Sequence, residues 1–387
     1  MDIKQSDQQF IANTYARYDL VAVSGDSVDI CGSGGEELID LSSGIGVNIF
    51  GVSDPEWKAA VIAQLDKLQH ISNHFYTGPQ TELAKLLCEK TDMKKVFFGN
   101  SGAEANECAI KAARKYSFDK YGAGRSTIIS LVNSFHGRTM ATLSATGQEN
   151  MHTAFAPMLP GFVYVPANDI EAAMSAASDD VCAIMLELIQ GEGGVLPLEQ
   201  GYVTAVAKLC AERDILLVLD EVQTGNGRTG TLYAYMQYGI TPDILTTAKG
   251  LGGGLPIGAC LLGEKTENTL GTGSHGSTFG GNPVCAAGAV SVISRLTDGL
   301  MAEVQRKGEL IRAELKGAKG VKSVSGLGLM VGIEIESGDS RSVVEKCLKL
   351  GVIVLTAKEK VRLLPPLNIP DEKLLKALGI LKGVLAE

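Results

Sequence analysis

The sequence has no surplus of basic residues and no long apolar run. It carries 35 Lys and Arg against 44 Asp and Glu, a formal net charge of −9, and the basic residues are scattered. A chain of this charge is a poor match for nucleic acid, so we expect no nucleic-acid partner. No apolar stretch approaches the roughly 18 residues that indicate a membrane-spanning helix. The first residues lack the apolar core of a targeting signal, so we expect a cytoplasmic protein without membrane association.

Closely spaced cysteines are also lacking. The eight cysteines are never closer than twenty positions, so neither a zinc-ligand pair nor a CxxC redox motif is present and no metal site is predicted. Cys182 and Cys260 stand in apolar runs, which is typical of small buried side chains in a reducing compartment.

Short apolar runs, by contrast, recur through the middle of the chain. At 387 residues the chain exceeds the roughly 250–300 residues at which single cores stop growing, so two parts are expected. Between about residues 80 and 290, apolar runs alternate with helical stretches, which is typical of βαβ units. The predicted strands are 96–98, 127–131, 162–165, 183–186, 215–219, 244–245 and 259–262. We therefore predict an α/β protein whose large domain has a seven-stranded, mostly parallel sheet between helices.

The two ends of the chain predict a smaller unit. Residues 1–50 contain short apolar pieces between glycine and aspartate, which is typical of small antiparallel strands. After about residue 299, helices alternate with predicted strands at 330–335, 353–355 and 361–364. We predict that residues 51–298 form the large domain and that residues 299–387 form a small α+β domain, which the N-terminal segment joins.

An acid and a lysine follow two neighbouring predicted strands. Asp220 ends the apolar run 215–219, and Lys249 follows the run 244–245 and precedes a glycine-rich stretch. Open α/β sheets bind ligands at the carboxyl ends of their strands. This pairing suggests pyridoxal chemistry, with the lysine as a Schiff base and the acid on the pyridinium nitrogen. Taken alone, each residue fits a structural role better: an Asp after an apolar strand is usually a turn residue or a helix cap, and a Lys before glycines is usually solvated.

The segment after the first predicted strand suggests a phosphate site. Ser101 and Glu104 have the spacing of a capping box at the start of a helix. The unpaired N–H groups and the helix dipole at such a start attract phosphate. A well-capped helix without a ligand is an equally good interpretation of this segment alone.

Further polar and aromatic residues stand on loops between predicted elements. Phe135 could stack on a planar ring and Arg138 could bind a carboxylate. Glu192 lies among glycines, and Ser277 and Thr278 offer two hydroxyls on a glycine-rich loop. Each also fits an ordinary exposed loop or turn. Since most of these loops follow successive strands, we expect one crevice to gather them.

The sequence resembles the subgroup III, fold-type I pyridoxal-phosphate aminotransferases from about Tyr15 to Leu367. The motifs are specific in combination rather than singly. They are Asn100 to Asn106, Phe135 to Thr139, Gln190 to Gly194, Asp220 to Gly225, Ala248 to Gly250, His275 to Pro283 and Arg362 to Leu367.

The resemblance implies pyridoxal 5'-phosphate as the cofactor, with Lys249 as its Schiff-base lysine and as the group that moves a proton. Asp220 would keep the ring nitrogen protonated, because unit charges roughly 4 Å apart attract by about 4 kcal/mol at an effective dielectric near 20. The other residues expected around the cofactor are Ser101, Gly102, Ala103, Phe135, Glu221, Val222, Gln223 and Thr278. In this family the loop containing Thr278 reaches the phosphate of the other subunit, which implies a homodimer with shared active sites.

The resemblance also implies an ω-amine donor and 2-oxoglutarate as acceptor. Arg138, with Ser277 near it, would bind the donor's distant carboxylate. Arg362 would bind the second carboxylate of 2-oxoglutarate, and Glu192 would pair with Arg362 while the donor is bound. The expected donor is N2-acetyl-L-ornithine; ornithine, succinylornithine, 4-aminobutyrate and an N-protected lysine are alternatives. Intact Glu192 and Arg362 argue against aminomutase or racemase chemistry, and intact Lys249 argues against a non-catalytic binding module.

Three departures from the family pattern stand out. The usual acid-proline pair is Glu187-Leu188, and Asn226 replaces a common small or apolar residue. The N-terminal tyrosine that recognises ornithine in relatives has no secure counterpart, since Tyr15 and Tyr18 compete for that place. The last departure favours an acetylated donor over free ornithine.

Overall fold

The computed structural model describes residues 2–387, and its first part combines short strands with helices. The elements are α1 (Ile3–Phe10), β1 (Ala22–Asp26), β2 (Asp29–Gly32), β3 (Glu37–Asp40), α2 (Ser43–Gly46), α3 (Pro55–Leu65) and α4 (Gly78–Thr91). Helix α3 begins at Pro55, where the missing N–H costs nothing, and the Asp54 side chain accepts a hydrogen bond from Trp57 N at 2.9 Å.

The middle of the chain builds one seven-stranded sheet. Its elements are β4 (Lys95–Gly99), α5 (Gly102–Tyr121), β5 (Thr127–Leu131), α6 (Met140–Ala145), α7 (Glu149–His152), β6 (Phe162–Val165), α8 (Ile170–Ala176), β7 (Val181–Leu186), β8 (Ile189–Gln190), β9 (Leu196–Pro197), α9 (Gln200–Arg213), β10 (Leu216–Asp220), α10 (Tyr235–Tyr238), β11 (Ile244–Thr247) and β12 (Gly258–Leu262), with 3-10 turns at Thr153–Phe155 and Lys249–Gly252. The strand order is β4-β12-β11-β10-β7-β5-β6. Only β12 runs against the others within this sheet.

All seven predicted strands of the large sheet are confirmed, as is its mostly parallel arrangement. Every residue of β7 and β10 is buried. A strand that is covered on both faces is apolar at nearly every position. The apolar runs in the sequence therefore identified these strands.

The last part of the chain forms a second, antiparallel sheet. Its elements are α11 (Pro283–Ser294), α12 (Asp298–Leu315), β13 (Val321–Leu327), β14 (Met330–Ile335), α13 (Ser340–Lys349), β15 (Val352–Ile353), β16 (Leu355–Ala357), β17 (Lys360–Leu363) and α14 (Asp371–Leu385). The order in this sheet is β13-β14-β17-β16, whereas β15 pairs in parallel with β3. The N-terminal strands thus share a sheet with a C-terminal strand, and the domain boundaries at residues 50 and 298 stay a prediction.

Across residues 2–387, no single helix combines the length and the apolar character needed to cross a membrane; α11 and α12, bent by 76°, reach both only when taken as a pair.

Candidate active site

One cavity of about 480 Å³ opens at the carboxyl ends of the sheet strands. Its volume is ordinary for a small-molecule site, where roughly 300–1,000 Å³ is usual. Nine of the predicted site residues line it: Ser101, Gly102, Ala103, Phe135, Arg138, Asp220, Val222, Gln223 and Lys249. The structure therefore brings together residues that are up to 148 positions apart (249 − 101) in the sequence.

Asp220 is buried at the end of β10 and is held by three donors. Its Oδ2 accepts hydrogen bonds from Asn106 Nδ2 at 2.7 Å and from His136 Nδ1 at 2.8 Å, and its Oδ1 accepts from Val222 N at 3.0 Å. Asn106 is itself fixed, because its Oδ1 accepts from Thr246 Oγ1 at 2.7 Å. The carboxylate is thus fixed in direction before any ligand binds.

His136 sits in the same network. Its Nδ1 must carry a proton to donate to Asp220, and its Nε2 is buried without a partner in residues 2–387. Burial alone would lower the pKa of His136, but the hydrogen bond to Asp220 and the charges of Asp220 and Glu187 together raise it. His136 and Asp220 thus lie side by side in the cavity lining, with their charges coupled through this hydrogen bond.

Lys249 lines the cavity, is half-buried, and stands two residues after the end of β11. Its backbone adopts φ +43°, in the left-handed region that side chains rarely occupy. Burial lowers the pKa of its amine, and the charge of Arg362 acts in the same direction against the attraction of Glu192. A lowered amine pKa favours the neutral, nucleophilic form.

The helix α5 presents its N-terminus to the cavity. Ser101 Oγ accepts a hydrogen bond from Glu104 N at 3.2 Å, which confirms the serine as the helix cap. The Glu104 carboxylate accepts from Asn100 N and not from Ser101 N, so the reciprocal half of the predicted capping box is wrong by one residue. Gly102 and Ala103 occupy the first helical positions, whose N–H groups have no carbonyl to reach within the helix. These free donors suit a phosphate.

Val222 and Phe135 both line the cavity and are half-buried. A Cβ placed on Gly102 would lie 2.8 Å from Val222 Cγ1, so only glycine fits at that place. Arg138 is exposed, and its Cζ lies 5.6 Å from the centroid of the Phe135 ring. The guanidinium is therefore at the mouth of the cavity.

Arg362 and Glu192 form an ion pair beside the cavity. Arg362 Nη1 donates to Glu192 Oε1 at 2.6 Å and to Gln223 Oε1 at 3.0 Å, and Gln223 lines the cavity. Burial alone would raise the pKa of Glu192, but the charge of and hydrogen bond from Arg362 lower it. Arg362 itself is buried, with its Nε lacking a partner in the described chain.

Several predicted residues lie elsewhere. The Glu221 carboxylate points away from the cavity lining and accepts from Ala234 N at 2.9 Å and from Tyr235 N at 2.8 Å. Ser277 Oγ accepts from Asn100 Nδ2 at 3.1 Å and is not among the lining residues. Thr278 is exposed outside the cavity of its own chain.

The two candidate tyrosines also lie outside the cavity lining. Tyr15 is exposed, and Tyr18 is half-buried with the Cζ of Arg341 at 5.2 Å from its ring centroid. The structure of a single chain therefore identifies neither tyrosine as a residue that contacts the amine substrate.

Three site residues received no role from the sequence. His136 and Asn106 hold Asp220, and Glu187 is a buried carboxyl that accepts from Phe135 N at 2.8 Å and Gly191 N at 3.2 Å. Burial raises the pKa of Glu187, with the charge of Asp220 adding to the effect. Asn106 stands four residues after Gly102, and residues at this spacing lie on the same face of a helix. That spacing could have placed Asn106 near the cavity from the sequence.

The polar groups that line the cavity fit pyridoxal 5'-phosphate. A buried carboxylate, an amine of lowered pKa and an open helix N-terminus line one cavity. These groups match the pyridine nitrogen, the aldehyde and the phosphate of that molecule, respectively.

Comparisons with known proteins agree with this chemistry. The family model for class-III aminotransferases matches residues 10–385. The acetylornithine aminotransferase of Haemophilus ducreyi is 55% identical over 387 residues, covering 100% of this chain and 98% of that protein. The acetylornithine aminotransferase of Caldanaerobacter subterraneus is 46% identical, with 98% of each covered.

Solved structures give the same result. The ornithine aminotransferase of Toxoplasma gondii, described with partial occupancy of pyridoxal phosphate at its active site, has a TM-score of 0.94 at 31% identity and covers 99% of this chain and 93% of its own. The N-acetylornithine aminotransferase of Stenotrophomonas maltophilia has a TM-score of 0.86 at 36% identity, with 100% and 98% covered. The chain therefore belongs to the class-III aminotransferases and is a pyridoxal-phosphate-dependent aminotransferase.

Proposed function

We propose that this enzyme transfers the δ-amino group of N2-acetyl-L-ornithine to 2-oxoglutarate, giving N-acetyl-L-glutamate 5-semialdehyde and L-glutamate, in arginine biosynthesis. The observation that carries the proposal is the ion pair of Arg362 and Glu192 against Gln223 at the edge of the Lys249 cavity. The acetylornithine aminotransferases at 55% and 46% identity over nearly their whole length support this donor.

The reaction needs a base that moves one proton and a cofactor that accepts electrons. Bound pyridoxal phosphate supplies an electron sink next to the carbon that carries the amine. Lys249 Nζ would hold the cofactor and would act as the base that takes the proton from that carbon, which its lowered pKa favours. The Asp220 carboxylate, fixed by His136 and Asn106, holds negative charge where the ring nitrogen is expected.

Two arginines divide the carboxylates of the substrates. Arg138, exposed at the mouth, binds the carboxylate at the far end of acetylornithine. While that donor is bound, Glu192 neutralises Arg362, since an unpaired buried guanidinium beside an apolar substrate chain would be costly. When 2-oxoglutarate enters, its second carboxylate replaces Glu192 on Arg362. One site thus accepts two substrates of different charge.

We also infer that the active unit is a homodimer with shared active sites. A segment around residues 69–80 packs against the loop 277–282, where Asn73 Nδ2 donates to Gly280 O at 2.8 Å. The large apolar side chains exposed on these two segments are Ile71, Phe75, Tyr76 and Phe279. Large apolar side chains exposed on two segments that pack together are typical of a protein interface, and Thr278, next to Phe279, is expected to reach the phosphate of the other subunit's cofactor.

The remaining expectations fit the same proposal. The eight cysteines are all free, which suits a reducing compartment, and we place the enzyme in the cytoplasm. We retain the division into a large domain of residues 51–298 and a small domain of residues 299–387 that residues 1–50 join.

Initial rates with a panel of amines test the donor. The panel holds acetylornithine, ornithine, succinylornithine, 4-aminobutyrate and an N-protected lysine, each with 2-oxoglutarate. We expect acetylornithine to have the highest kcat/KM. A higher kcat/KM for 4-aminobutyrate or free ornithine would overturn the named donor while leaving the family intact.

A further inference from the structure

The backbone that carries Lys249 is held in an unusual conformation. Lys249 has φ +43°, and the preceding Ala248 has φ −164° and ψ −139°. A non-glycine residue keeps a left-handed φ only where its surroundings impose it. The Ala248 carbonyl belongs to the peptide bond that joins these two residues, so hydrogen bonds to it help to hold the Lys249 backbone in this conformation.

Asn226 binds that carbonyl from the neighbouring loop. Its Nδ2 donates to Ala248 O at 3.1 Å and to Thr247 Oγ1 at 3.0 Å, and Leu251 N donates to the same Ala248 carbonyl at 2.9 Å. Asn226 is fully buried, and a Cβ on Gly250 would lie 3.2 Å from the Asn226 Cβ. The side-chain amide thus sits directly beneath the turn that carries the lysine.

We propose that Asn226 is a positioning residue that sets the direction of the Lys249 side chain toward the cofactor. A small or apolar side chain at this place would offer no donor to Ala248 O, so the proposed effect depends on the amide of Asn226. The proposal rests on the role of Lys249 proposed above. Asn226 does not touch the cavity itself, so it acts only through the lysine backbone.

Asparagine at position 226 has a second possible cause, its backbone conformation, and the test must distinguish this from the hydrogen bond to Ala248 O. Asn226 has φ +57°, and asparagine tolerates the left-handed region better than most residues. Asn226→Gly keeps that backbone and removes the amide. Asn168→Gly is the matched control: Asn168 is exposed at φ +62°, and its Oδ1 accepts from Glu199 N at 2.8 Å. Both variants lose side-chain hydrogen bonds at a left-handed asparagine.

The test measures how fast the full-length apoprotein takes up pyridoxal phosphate, and the pH midpoint of the visible absorbance of the loaded enzyme. We expect uptake by the Asn226→Gly variant to slow by about ten- to a hundredfold, as for small misplacements of reacting groups, with a shifted midpoint. Asn168→Gly should match the wild type in both. Wild-type uptake and midpoint in Asn226→Gly would overturn the proposal.

If the glycine variant does not fold, Asn226→Asp decides. Aspartate keeps the shape and the left-handed preference but places an acceptor against Ala248 O, so slow uptake is again expected and wild-type uptake would overturn the proposal. If both variants fail to fold while Asn168→Gly folds, the role is structural and the proposal is wrong. A wild-type chain that takes up no pyridoxal phosphate would instead contradict the proposed function.

Discussion

His136 Nδ1 donates to Asp220 Oδ2 at 2.8 Å, and both side chains are almost completely buried. The imidazole and the amide of Asn106 leave the carboxylate no freedom to turn. A charge that is already oriented needs no reorganisation when the ring nitrogen of the cofactor arrives. In the role proposed for Asp220, this contact would hold the acid ready to support the electron sink.

Replacing Asp220 with Asn should reduce kcat by about a thousandfold. The amide keeps the shape but lacks the negative charge, and a charge pair near 4 Å contributes about 4 kcal/mol at an effective dielectric near 20. Steady-state rates check this. Asp243→Asn is the control, because Asp243 also binds backbone, with Oδ2 accepting from Leu217 N at 2.9 Å, yet does not line the cavity. Equal losses in the two variants would contradict the role of Asp220.

Replacing Arg362 with Ala should separate the two half-reactions. The loss of a charged hydrogen-bond partner, about 1.5–3 kcal/mol, predicts a roughly ten- to hundredfold slower reaction with 2-oxoglutarate. Conversion of acetylornithine should change far less, because Arg362 is paired with Glu192 in that step. Single-turnover absorbance measures each half separately. Arg306→Ala, at an exposed surface pair, should alter neither, and a uniform slowing in Arg362→Ala would refute the division of roles.

Glu221 should make the protein less stable as the pH rises. Burial raises the pKa of Glu221 from 4.5 to about 7. Between these pH values the folded chain holds a proton that the unfolded chain releases, so the free energy of unfolding falls by about 3 kcal/mol as the pH rises through this window. Denaturant unfolding at pH 5 and pH 8 measures the fall. Glu221→Gln cannot ionise and should show a smaller decrease; an equal decrease would show that Glu221 titrates normally.

Replacing Phe279 with Asp should give monomers with low activity. Phe279 is 59% exposed on the apolar face next to Thr278, and a charge there opposes burial against a second subunit. Sedimentation velocity and rates at several protein concentrations check the outcome. Phe118→Asp, at a 62% exposed phenylalanine near the end of α5, should stay dimeric. A dimeric, fully active Phe279→Asp variant would place the interface elsewhere.

The large sheet was predictable because its strands are buried on both faces, as β7 and β10 show. Strand β13 was missed, since its residues are half-buried or exposed and polar ones such as Ser323 and Ser325 leave no apolar run. Strand β12 was found, but its reversed direction was not, because periodicity carries no information on strand direction.

The site was predictable where residues follow strand ends and unpredictable where contacts cross the sheet. Asp220 and Lys249 lie after neighbouring strands, so their convergence follows from the topology. Glu221 was grouped with Asp220 by adjacency, yet successive residues of an extended chain point to opposite sides, and its carboxylate lies outside the cavity lining. The bond between His136 and Asp220 spans 84 residues, and no local pattern signals it.

The most direct test follows the visible absorbance of the purified enzyme through both half-reactions. The band of the bound cofactor should disappear when N2-acetyl-L-ornithine is added and return when 2-oxoglutarate follows, whereas Lys249→Ala should show no such cycle. A wild-type band that is absent, or that neither substrate changes, would contradict the assignment of Lys249 as the residue that holds the cofactor and of acetylornithine as the donor.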